Sequence, residues 1–390
     1  MHHVRIALVT DTFFPQVNGV TTVTRRMVRA LAERKVATAV VAPRYPGTVN
    51  GVGELRIRSL PFPPYPAIRL SFPLTRDIAA YLDAFAPDLV HVITEGPLGW
   101  IGRGYALRHD LPLVTSFHTD FPKYCRHYGA GLLEPTVWRW LRWFHGPARL
   151  THTPGEAVQA ELKRRGLRQA VVWGRGVDAT RFHPGRDRTR WRRRLEVGDG
   201  VALVLHVGRL APEKNLATLE RAWIAARDAL GSRAVFAVAG DGPLARRLEA
   251  QMPWVRRVGF LERSDLADLY AAADLCVLPS ETETCGLVAL EAMASGVPVI
   301  AADAGGLQES VHHGVNGLIA APYDVAGFTA NIIRLVMERD YRATLATNAR
   351  RFAVMRDAAR ECDELVNQYG GLIGAAAPTP VGRREAQCVA

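Results

Sequence analysis

The sequence predicts an α/β protein made of two tandem, doubly wound Rossmann-like domains. Short apolar runs typical of buried parallel strands recur along the chain, first within residues 5–173 and again within residues 201–302. Helical segments separate these runs, and such alternation is typical of parallel sheets. A length of 390 residues suits two domains better than one core. We therefore expect two domains that face each other across a central cleft.

The first half of the chain opens as a strand, a glycine-containing loop and a helix. Apolar residues 5–9 predict the strand, and residues from about 21 to 34 predict the helix. Further strand-type runs lie at residues 37–42, 89–93, 113–117 and 170–173. Residues 183–194, which contain Pro184, Gly185 and a cluster of arginines, are typical of a linker.

The strand-and-helix pattern restarts after this segment. Strands are expected at residues 201–207, 234–239, 275–279 and 297–302, and helices at residues 215–230, 266–273 and 287–294. We predict an N-terminal domain at residues 1–180 and a C-terminal domain at residues 181–369. The last helix is expected to pack back on the N-terminal domain, and residues 370–390 to form a flexible tail.

The composition argues against several classes of protein. No apolar run approaches the roughly 20 residues that span a bilayer, and the N-terminus has no signal-peptide pattern, so we expect a cytoplasmic protein. The five cysteines form no C-x-x-C pair, which argues against a disulfide framework or a zinc site. The sequence holds no Asp-x-Asp pair and no His/Cys ligand spacing. We therefore expect neither a metal nor another cofactor.

The net charge of +11 is unevenly distributed. Residues 1–180 carry 23 Lys and Arg against 13 Asp and Glu, whereas residues 195–390 carry 19 against 24. A basic first half suggests that this half faces something anionic. Charge alone leaves nucleic acid, an anionic membrane surface and an anionic acceptor open.

Gly19 lies in the loop between the first predicted strand and helix. In a doubly wound fold, this position is at the carboxyl edge of the sheet, where ligands bind. A glycine lets the backbone approach a phosphate, and the helix N-terminus adds partial positive charge. A tight turn without a ligand would explain the residue equally well.

Arg209 and Lys214 follow the first strand of the second half. An arginine that can make bidentate contacts and a lysine point charge at a strand end suit a diphosphate. The chain has only four lysines, so Lys214 does not come from a lysine-rich background. The alternative interpretation is that Arg209 and Lys214 are solvated surface charges.

The segment from Glu281 to Glu291 is the most specific in the sequence. Glu283 lies in the loop after a strand, and Glu291 lies on the helix that Gly286 opens. The backbone N–H groups of residues 284–287 can hold a phosphate or sugar oxygen. One carboxylate could accept hydrogen bonds from sugar hydroxyls and the other could bind a ribose diol. Alternatively, both merely favour the helix dipole.

His118 follows a first-half strand and could donate a hydrogen bond to a sugar hydroxyl. A structural histidine at a strand end is the alternative. The residues Asp120, Lys123, Tyr124 and Arg126 come soon after it and could form an acceptor pocket.

Two basic segments contain aromatic residues. Residues 56–76 combine Arg56, Arg58 and Phe72 with five prolines, and residues 138–144 combine tryptophans with arginines. Such mixtures suit a membrane interface or single-stranded nucleic acid. For residues 138–144, a helix buried on one side is the simpler explanation.

Taken together, the order of these motifs resembles the retaining glycosyltransferases of family four, which have the two-domain GT-B fold. The resemblance runs from Asp11 to about Tyr369 and rests on five segments. These are residues 18–20, 175–178, 208–215, 240–243 and 283–298. Within the family, the chain resembles bacterial glycolipid enzymes, including GDP-mannose-dependent mannosyltransferases. Sulfoquinovosyl and glucosyl diacylglycerol synthases are neighbours.

The resemblance implies a role for each matching residue. Arg209 and Lys214 would bind the donor diphosphate, with the Gly19 backbone closing on it. Glu283 and the amides of Cys285, Gly286 and Leu287 would hold the donor sugar. Glu291 would hold the ribose, and His118 would contact the sugar near its reacting carbon. His118, Arg209, Lys214 and Glu283 would form the catalytic group. Cys285 stands where the family usually has Phe, which could change the sugar that fits.

The resemblance therefore implies a retaining hexosyltransferase that needs no metal. The favoured reaction moves mannose from GDP-mannose to a membrane lipid, with the enzyme cytoplasmic or peripheral on the inner face of the membrane. A UDP-sugar donor with a diacylglycerol, polysaccharide or soluble acceptor remains an alternative. A nucleic-acid-binding protein is a remote alternative because it leaves the phosphate-type loops unexplained, and we expect no nucleic-acid partner.

Overall fold

A computed structural model describes residues 4–16, 18–62, 65–72, 74–127, 129–174, 176–283 and 285–376. The strands are β1 (Arg5–Val9), β2 (Ala37–Pro43), β3 (Glu54–Ile57), β4 (Ser59–Phe62), β5 (Tyr65–Ser71), β6 (Leu89–Val92), β7 (Leu113–Ser116), β8 (Leu150–Thr153), β9 (Ala170–Val172), β10 (Ala202–Val207), β11 (Ala234–Ala239), β12 (Arg256–Gly259), β13 (Leu275–Leu278), β14 (Val299–Ala302) and β15 (Gly317–Ala320).

The α-helices alternate with these strands along most of the chain. They are α1 (Gly19–Glu33), α2 (Thr75–Phe85), α3 (Pro97–Arg108), α4 (Phe121–His127), α5 (Glu134–His145), α6 (Glu156–Arg164), α7 (Thr189–Arg194), α8 (Leu216–Leu230), α9 (Ala245–Gln251), α10 (Arg263–Ala272), α11 (Leu287–Ala294), α12 (Val325–Met337), α13 (Arg339–Val354) and α14 (Ala358–Ala376).

The described strands form two large sheets with Rossmann-type order. The first runs β3-β2-β1-β6-β7-β8-β9, and the second runs β12-β11-β10-β13-β14-β15. β1 pairs in parallel with β2 and β6, and β10 pairs in parallel with β11 and β13. In each sheet the strand order reverses beside the first strand, which is the switch point where such folds bind ligands. The predicted class of two doubly wound sheets is confirmed.

Contact density divides the chain into two compact units. One comprises residues 1–116, 144–151 and 362–390, and the other comprises residues 117–143 and 152–361. Within the first unit, Tyr369 of α14 is buried, and its hydroxyl lies 2.5 Å from Nδ1 of His91 on β6. The same hydroxyl lies 3.5 Å from the Met27 sulfur on α1. These contacts hold the last helix to the elements of residues 1–116.

Three local predictions differ from the structure. The second half of the expected linker is helix α7, and Trp191 within it is fully buried, so this stretch is anchored by packing. Helix α14 continues to Ala376, into the segment expected to be a flexible tail, and residues 377–390 lie outside the described residues. Arg56 is buried beside Glu54 and donates to the Phe14 carbonyl, so it is a structural cation and no part of an exposed basic surface.

Within the described residues, no helix is both long and apolar enough to cross a membrane.

Candidate functional site

The candidate site lies at the carboxyl edge of the second sheet. Arg209 and Lys214 lie in the loop after β10, and Glu283 lies in the loop after β13. β10 and β13 are neighbours at the switch point of that sheet. Parallel neighbours end at the same edge, so the fold brings these three charged residues to one edge of the sheet.

Lys214 and Glu283 form an ion pair within this edge. The Lys214 Nζ donates to Oε1 of Glu283, and the two side chains are 20% and 17% exposed. The hydroxyls of Ser280 and Thr282 donate to the Glu213 carbonyl at 3.1 and 2.9 Å. The two loops are therefore bound to each other through both backbone and side-chain groups, which limits the positions that Glu283 can take.

Two glycines near Glu283 allow its backbone to sit close to the turn after β14. Gly305 has a φ of +59°, and a Cβ there would lie 2.5 Å from the Glu283 carbonyl oxygen. The Gly306 N–H donates to the same oxygen at 2.6 Å. A side chain at residue 305 would therefore clash with the Glu283 carbonyl, which this turn binds.

Gly286 has a φ of +68° at the N-cap of α11, where a left-handed residue starts the helix at Leu287. Gly286 is buried, and Leu287 is half-buried. The helix N-terminus directly follows the Glu283 loop and contributes partial positive charge. Thr284 lies outside the described residues.

Arg209 is a half-buried cation beside Glu213. Its Nη1 lies 3.8 Å from Oε1 of Glu213, and its side chain is 38% exposed. Burial lowers the pKa of Arg209, and Glu213 opposes this shift. The loop that carries Arg209 packs closely against Gly240, because a Cβ at Gly240 would lie 1.9 Å from the Gly208 carbonyl oxygen. That close approach explains Gly240, the first of the two glycines in the 240–243 segment.

Glu291 lies on α11 with its side chain only 8% exposed. Its Oε1 accepts a hydrogen bond from Nη2 of Arg263 at 2.8 Å. The Arg263 guanidinium also lies over the Phe182 ring, 5.1 Å from its centroid. An oriented carboxylate of this kind can accept two hydroxyl donors of a ribose, as acidic residues do in dinucleotide sites.

His118 lies two residues after β7, and its Nε2 atom is buried without a hydrogen-bond partner among the described residues. Burial lowers the pKa of His118 to about 4, with a further contribution from His152. At neutral pH its ring is therefore uncharged and carries one N–H donor and one acceptor nitrogen. A buried polar atom without a partner is costly unless a ligand or a water completes it.

The four residues expected to bind the acceptor differ in their contacts. Asp120 accepts a hydrogen bond from the Lys123 backbone N–H at 3.0 Å, and burial raises its pKa. The Lys123 Nζ donates to the Glu281 carbonyl at 2.7 Å, which ties α4 to the Glu283 loop. Arg126 pairs with Glu134 at 2.6 Å. The Tyr124 side chain lies outside the described residues.

Cys285 and Gly19, the two remaining residues predicted to bind the donor, lie in different parts of the chain. The Cys285 thiol lies 3.8 Å from the Gly174 carbonyl, so a small side chain directly faces backbone at this point. Gly19 begins α1 in the first unit, where the Asn18 side chain caps the helix, and a Cβ at Gly19 would meet no atom within 4 Å. Arg175, part of the motif at residues 175–178, lies outside the described residues.

This arrangement suits an anionic ligand with hydroxyl groups. Arg209, Lys214 and the α11 N-terminus supply positive charge, and Glu283 and Glu291 supply acceptors. Within the described residues, no three His, Cys, Asp or Glu side chains cluster in a way that could hold a metal ion.

Sequence reasoning missed several residues that shape the site. Arg263 and the Gly305–Gly306 turn are far from Glu291 and Glu283 in sequence, and no motif links them. Glu309 was also missed. Its carboxylate accepts from the Glu156 and Ala157 N–H groups at 2.9 and 3.0 Å, at the N-terminus of α6. The glycine pair after the buried strand β14 was the available signal, because glycine permits a tight turn and a close backbone approach.

Comparison with known proteins agrees with this geometry. A family model described as "Glycosyltransferase Family 4" matches residues 17–181, and one described as "Glycosyl transferases group 1" matches residues 187–352. A GDP-mannose-dependent alpha-mannosyltransferase of Mycolicibacterium smegmatis is 36% identical over 95% of this chain and 98% of its own. The protein of that name from Mycobacterium tuberculosis is 33% identical over 95% and 97%.

Solved structures share the fold at lower identity. Sucrose-phosphate synthase from Thermosynechococcus elongatus has a TM-score of 0.78 and 22% identity, and covers 96% of this chain and 100% of its own. Anabaena HepE in complex with UDP has a TM-score of 0.75 and 21% identity over 94% and 100%.

Fold, site and relatives together define an enzyme, a glycosyltransferase of the two-domain GT-B class. The chain belongs to glycosyltransferase family four, as the resemblance of its motifs predicts.

Proposed function

We propose that the protein transfers mannose from GDP-mannose to a membrane lipid, with retention of anomeric configuration. Relatives in Mycolicibacterium smegmatis, Mycobacterium tuberculosis and Corynebacterium glutamicum share the name GDP-mannose-dependent alpha-mannosyltransferase, at 36%, 33% and 31% identity. Agreement in name among three relatives supports the donor. Support for retention comes from the family resemblance and from the "alpha" in those names.

The observation that carries the proposal is the grouping of Arg209, Lys214 and Glu283 at the switch point of the second sheet. Breaking the bond between the sugar C1 and the β-phosphate oxygen leaves negative charge on GDP. Arg209, Lys214 and the α11 N-terminus stabilise that charge as it develops. This role needs fixed donors, and the Lys214–Glu283 pair and the hydroxyls of Ser280 and Thr282 fix this edge.

The acceptor hydroxyl attacks C1 on the face that the diphosphate leaves. Its proton passes to the departing phosphate oxygen, so that no protein carboxylate has to act as nucleophile. Glu283 accepts hydrogen bonds from the mannose hydroxyls, and Glu291 accepts those of the ribose. His118 is uncharged at neutral pH because of its low pKa, and donates to or accepts from a hydroxyl near C1 without adding charge.

A lipid acceptor is supported by the names of other relatives and by charge. An Arabidopsis relative is a sulfoquinovosyl transferase, at 33% identity, and a Streptococcus pneumoniae relative is an alpha-monoglucosyldiacylglycerol synthase, at 29%. The excess of basic residues over residues 1–180 suits an anionic membrane surface. We propose that the enzyme works in the cytoplasm, at the inner face of the membrane.

The experiment is a donor-by-acceptor transfer assay. Radiolabelled GDP-mannose, UDP-glucose and UDP-galactose are each incubated with the enzyme and dispersed membrane lipids, or with soluble oligosaccharides and inositol phosphate. The proposal predicts chloroform-soluble label from GDP-mannose, with an α-linkage by NMR of the product. Label from a UDP-sugar alone would refute the donor, and label only in water-soluble product would refute the lipid acceptor.

Two lysine variants make a matched control for this assay. Lys214→Met removes the cation at the proposed diphosphate site. Lys163→Met removes an exposed cation on α6. The first should abolish most transfer and the second should leave it unchanged. Equal activity in the two variants would reject the site.

A further inference from the structure

The hairpin β4–β5 buries a polar face and exposes an apolar face, the reverse of the usual arrangement in a protein. Its antiparallel register pairs Ser59 with Ser71 and Leu60 with Leu70. Ser59 and Ser71 are 9% and 5% exposed, whereas Leu60 and Leu70 are 61% and 38% exposed. Since residues opposite each other share a face of the ribbon, one face is polar and buried and the other is apolar and exposed.

Hydrogen bonds fix the buried polar face. The Ser59 hydroxyl donates to the Arg44 carbonyl at 2.6 Å. Arg69 donates through Nε to the Ser59 hydroxyl at 3.0 Å and through Nη2 to the Ser59 carbonyl at 2.6 Å. The Arg69 guanidinium also lies 5.8 Å from the centroid of the Tyr45 ring. These bonds set which face points outward, so the exposure of the leucines is specified by the structure around them.

The exposed apolar face extends beyond the hairpin. Phe72 directly follows Ser71, and its N–H donates to the Arg58 carbonyl at 2.9 Å, which continues the strand pairing. By alternation Phe72 shares the face of Leu70, and it is 59% exposed. Leu74, at the N-cap of α2, is 58% exposed. Adjacent exposed apolar side chains of this kind mark an interaction surface. We call Leu60, Leu70, Phe72 and Leu74 the hairpin ridge.

Arginines accompany the hairpin ridge. Arg58 pairs with Phe72 across the ribbon and is exposed. Arg76, two residues after Leu74, has 86% of its side chain exposed and contacts Asp77. Apolar side chains with arginines beside them match the boundary between lipid headgroups and acyl chains of an anionic bilayer. A second copy of the chain would instead bring these arginines against each other.

We infer that the hairpin ridge is the surface by which the enzyme enters an anionic membrane. Leu60, Leu70 and Phe72 insert among the acyl chains, and Arg58 and Arg76 contact lipid phosphates. The inference deepens the proposed function, on which it rests, because it names the part of the chain that meets the lipid phase. Its test needs no sugar donor.

The test is co-sedimentation with vesicles of phosphatidylcholine containing phosphatidylglycerol, compared with phosphatidylcholine alone. The double variant Leu60→Ser/Phe72→Ser should lower the partition coefficient on anionic vesicles by about tenfold or more, since burial of such side chains changes an equilibrium by at least that factor. Phe72→Trp should retain binding. Arg58→Gln should weaken binding to anionic vesicles and leave binding to neutral vesicles unchanged.

A matched control removes exposed leucines elsewhere. Leu132 and Leu133 are 97% and 56% exposed. Leu132→Ser/Leu133→Ser should leave binding within about threefold, a change of well under 1.4 kcal/mol. Because all substituted side chains are exposed, each variant should keep the wild-type circular dichroism spectrum and melting temperature, which excludes unfolding as the cause.

Three results would overturn the inference. In the first, the wild-type protein does not bind anionic vesicles. In the second, the hairpin variants bind as tightly as the wild type, and in the third, sedimentation velocity shows a dimer that Phe72→Ser abolishes. Failure of the proposed function looks different. In that case vesicle binding depends on the hairpin ridge, but no label moves from GDP-mannose to lipid.

Discussion

Replacing Gly305 by alanine should disable transfer while the fold persists. The new Cβ would lie 2.5 Å from the Glu283 carbonyl oxygen and 3.2 Å from that of Glu281, and real Cβ atoms essentially never come under 3.0 Å. The Glu283 backbone must therefore move by about 0.5 Å or more, because a backbone oxygen cannot rotate away as a side chain can. A misplacement of about 1 Å in a catalytic group can lower a rate by about 100-fold. We expect kcat to fall by about 10- to 100-fold.

Gly47→Ala is the matched control for this variant. Gly47 has a φ of +75°, against +59° at Gly305, but no atom lies within 4 Å of a Cβ there. Both variants should lose about 1–2 kcal/mol of unfolding free energy from the left-handed backbone alone. Only Gly305→Ala should lose turnover in the transfer assay at saturating GDP-mannose. If the two variants have the same kcat, the Gly305 turn does not position Glu283 for transfer.

Three further variants test other groups. Glu283→Gln should lower kcat by at least about 100-fold, because it removes the carboxylate that Lys214 orients. The affinity for GDP, measured by calorimetry, should change little. A near-normal kcat would exclude a role of Glu283 in transfer. Lys123→Met removes the 2.7 Å hydrogen bond to the Glu281 carbonyl. It should lower kcat/KM by about tenfold, which corresponds to the loss of a charged hydrogen bond, whereas Lys163→Met should leave kcat/KM unchanged. Equal effects of the two substitutions would refute a specific role of the Lys123–Glu281 contact. Burial raises the pKa of Asp11 to about 6 from 3.8. The folded state therefore holds this proton more tightly, and the resulting stability is present below pH 3.8 and lost as the pH rises through about 6. Urea unfolding should show wild type losing stability relative to Asp11→Asn over that range, by at most about 1.4 kcal/mol per pH unit; a constant difference would contradict the shift.

The sequence predicted the sheets well because parallel strands buried on both faces are continuous apolar runs. Residues 5–9 and 202–207 could be read in this way without any knowledge of their partners. The charged residues that follow such strands could be found as well, since strand ends meet at one edge of the sheet. Arg209, Lys214 and Glu283 are of this kind.

Contacts between distant segments could not be predicted. Arg263 meets Glu291 from the start of another helix, and Lys123 meets Glu281 across 158 positions of sequence. The hairpin β4–β5 was missed for a different reason. Its apolar side faces outward, so the alternation that usually marks a half-buried strand is inverted. The same inversion buries Ser59, which composition alone suggests is exposed.

We expect the edge formed by Arg209, Lys214 and Glu283 to bind the diphosphate of a guanosine nucleotide. The most direct measurement is calorimetric titration of the wild-type protein and of Lys214→Met with GDP and with UDP. We predict that GDP binds the wild-type protein more tightly than UDP does, and that Lys214→Met loses at least about tenfold in GDP affinity, or 1.4 kcal/mol. Equal GDP affinity in both proteins would contradict the site, and tighter binding of UDP would contradict the donor.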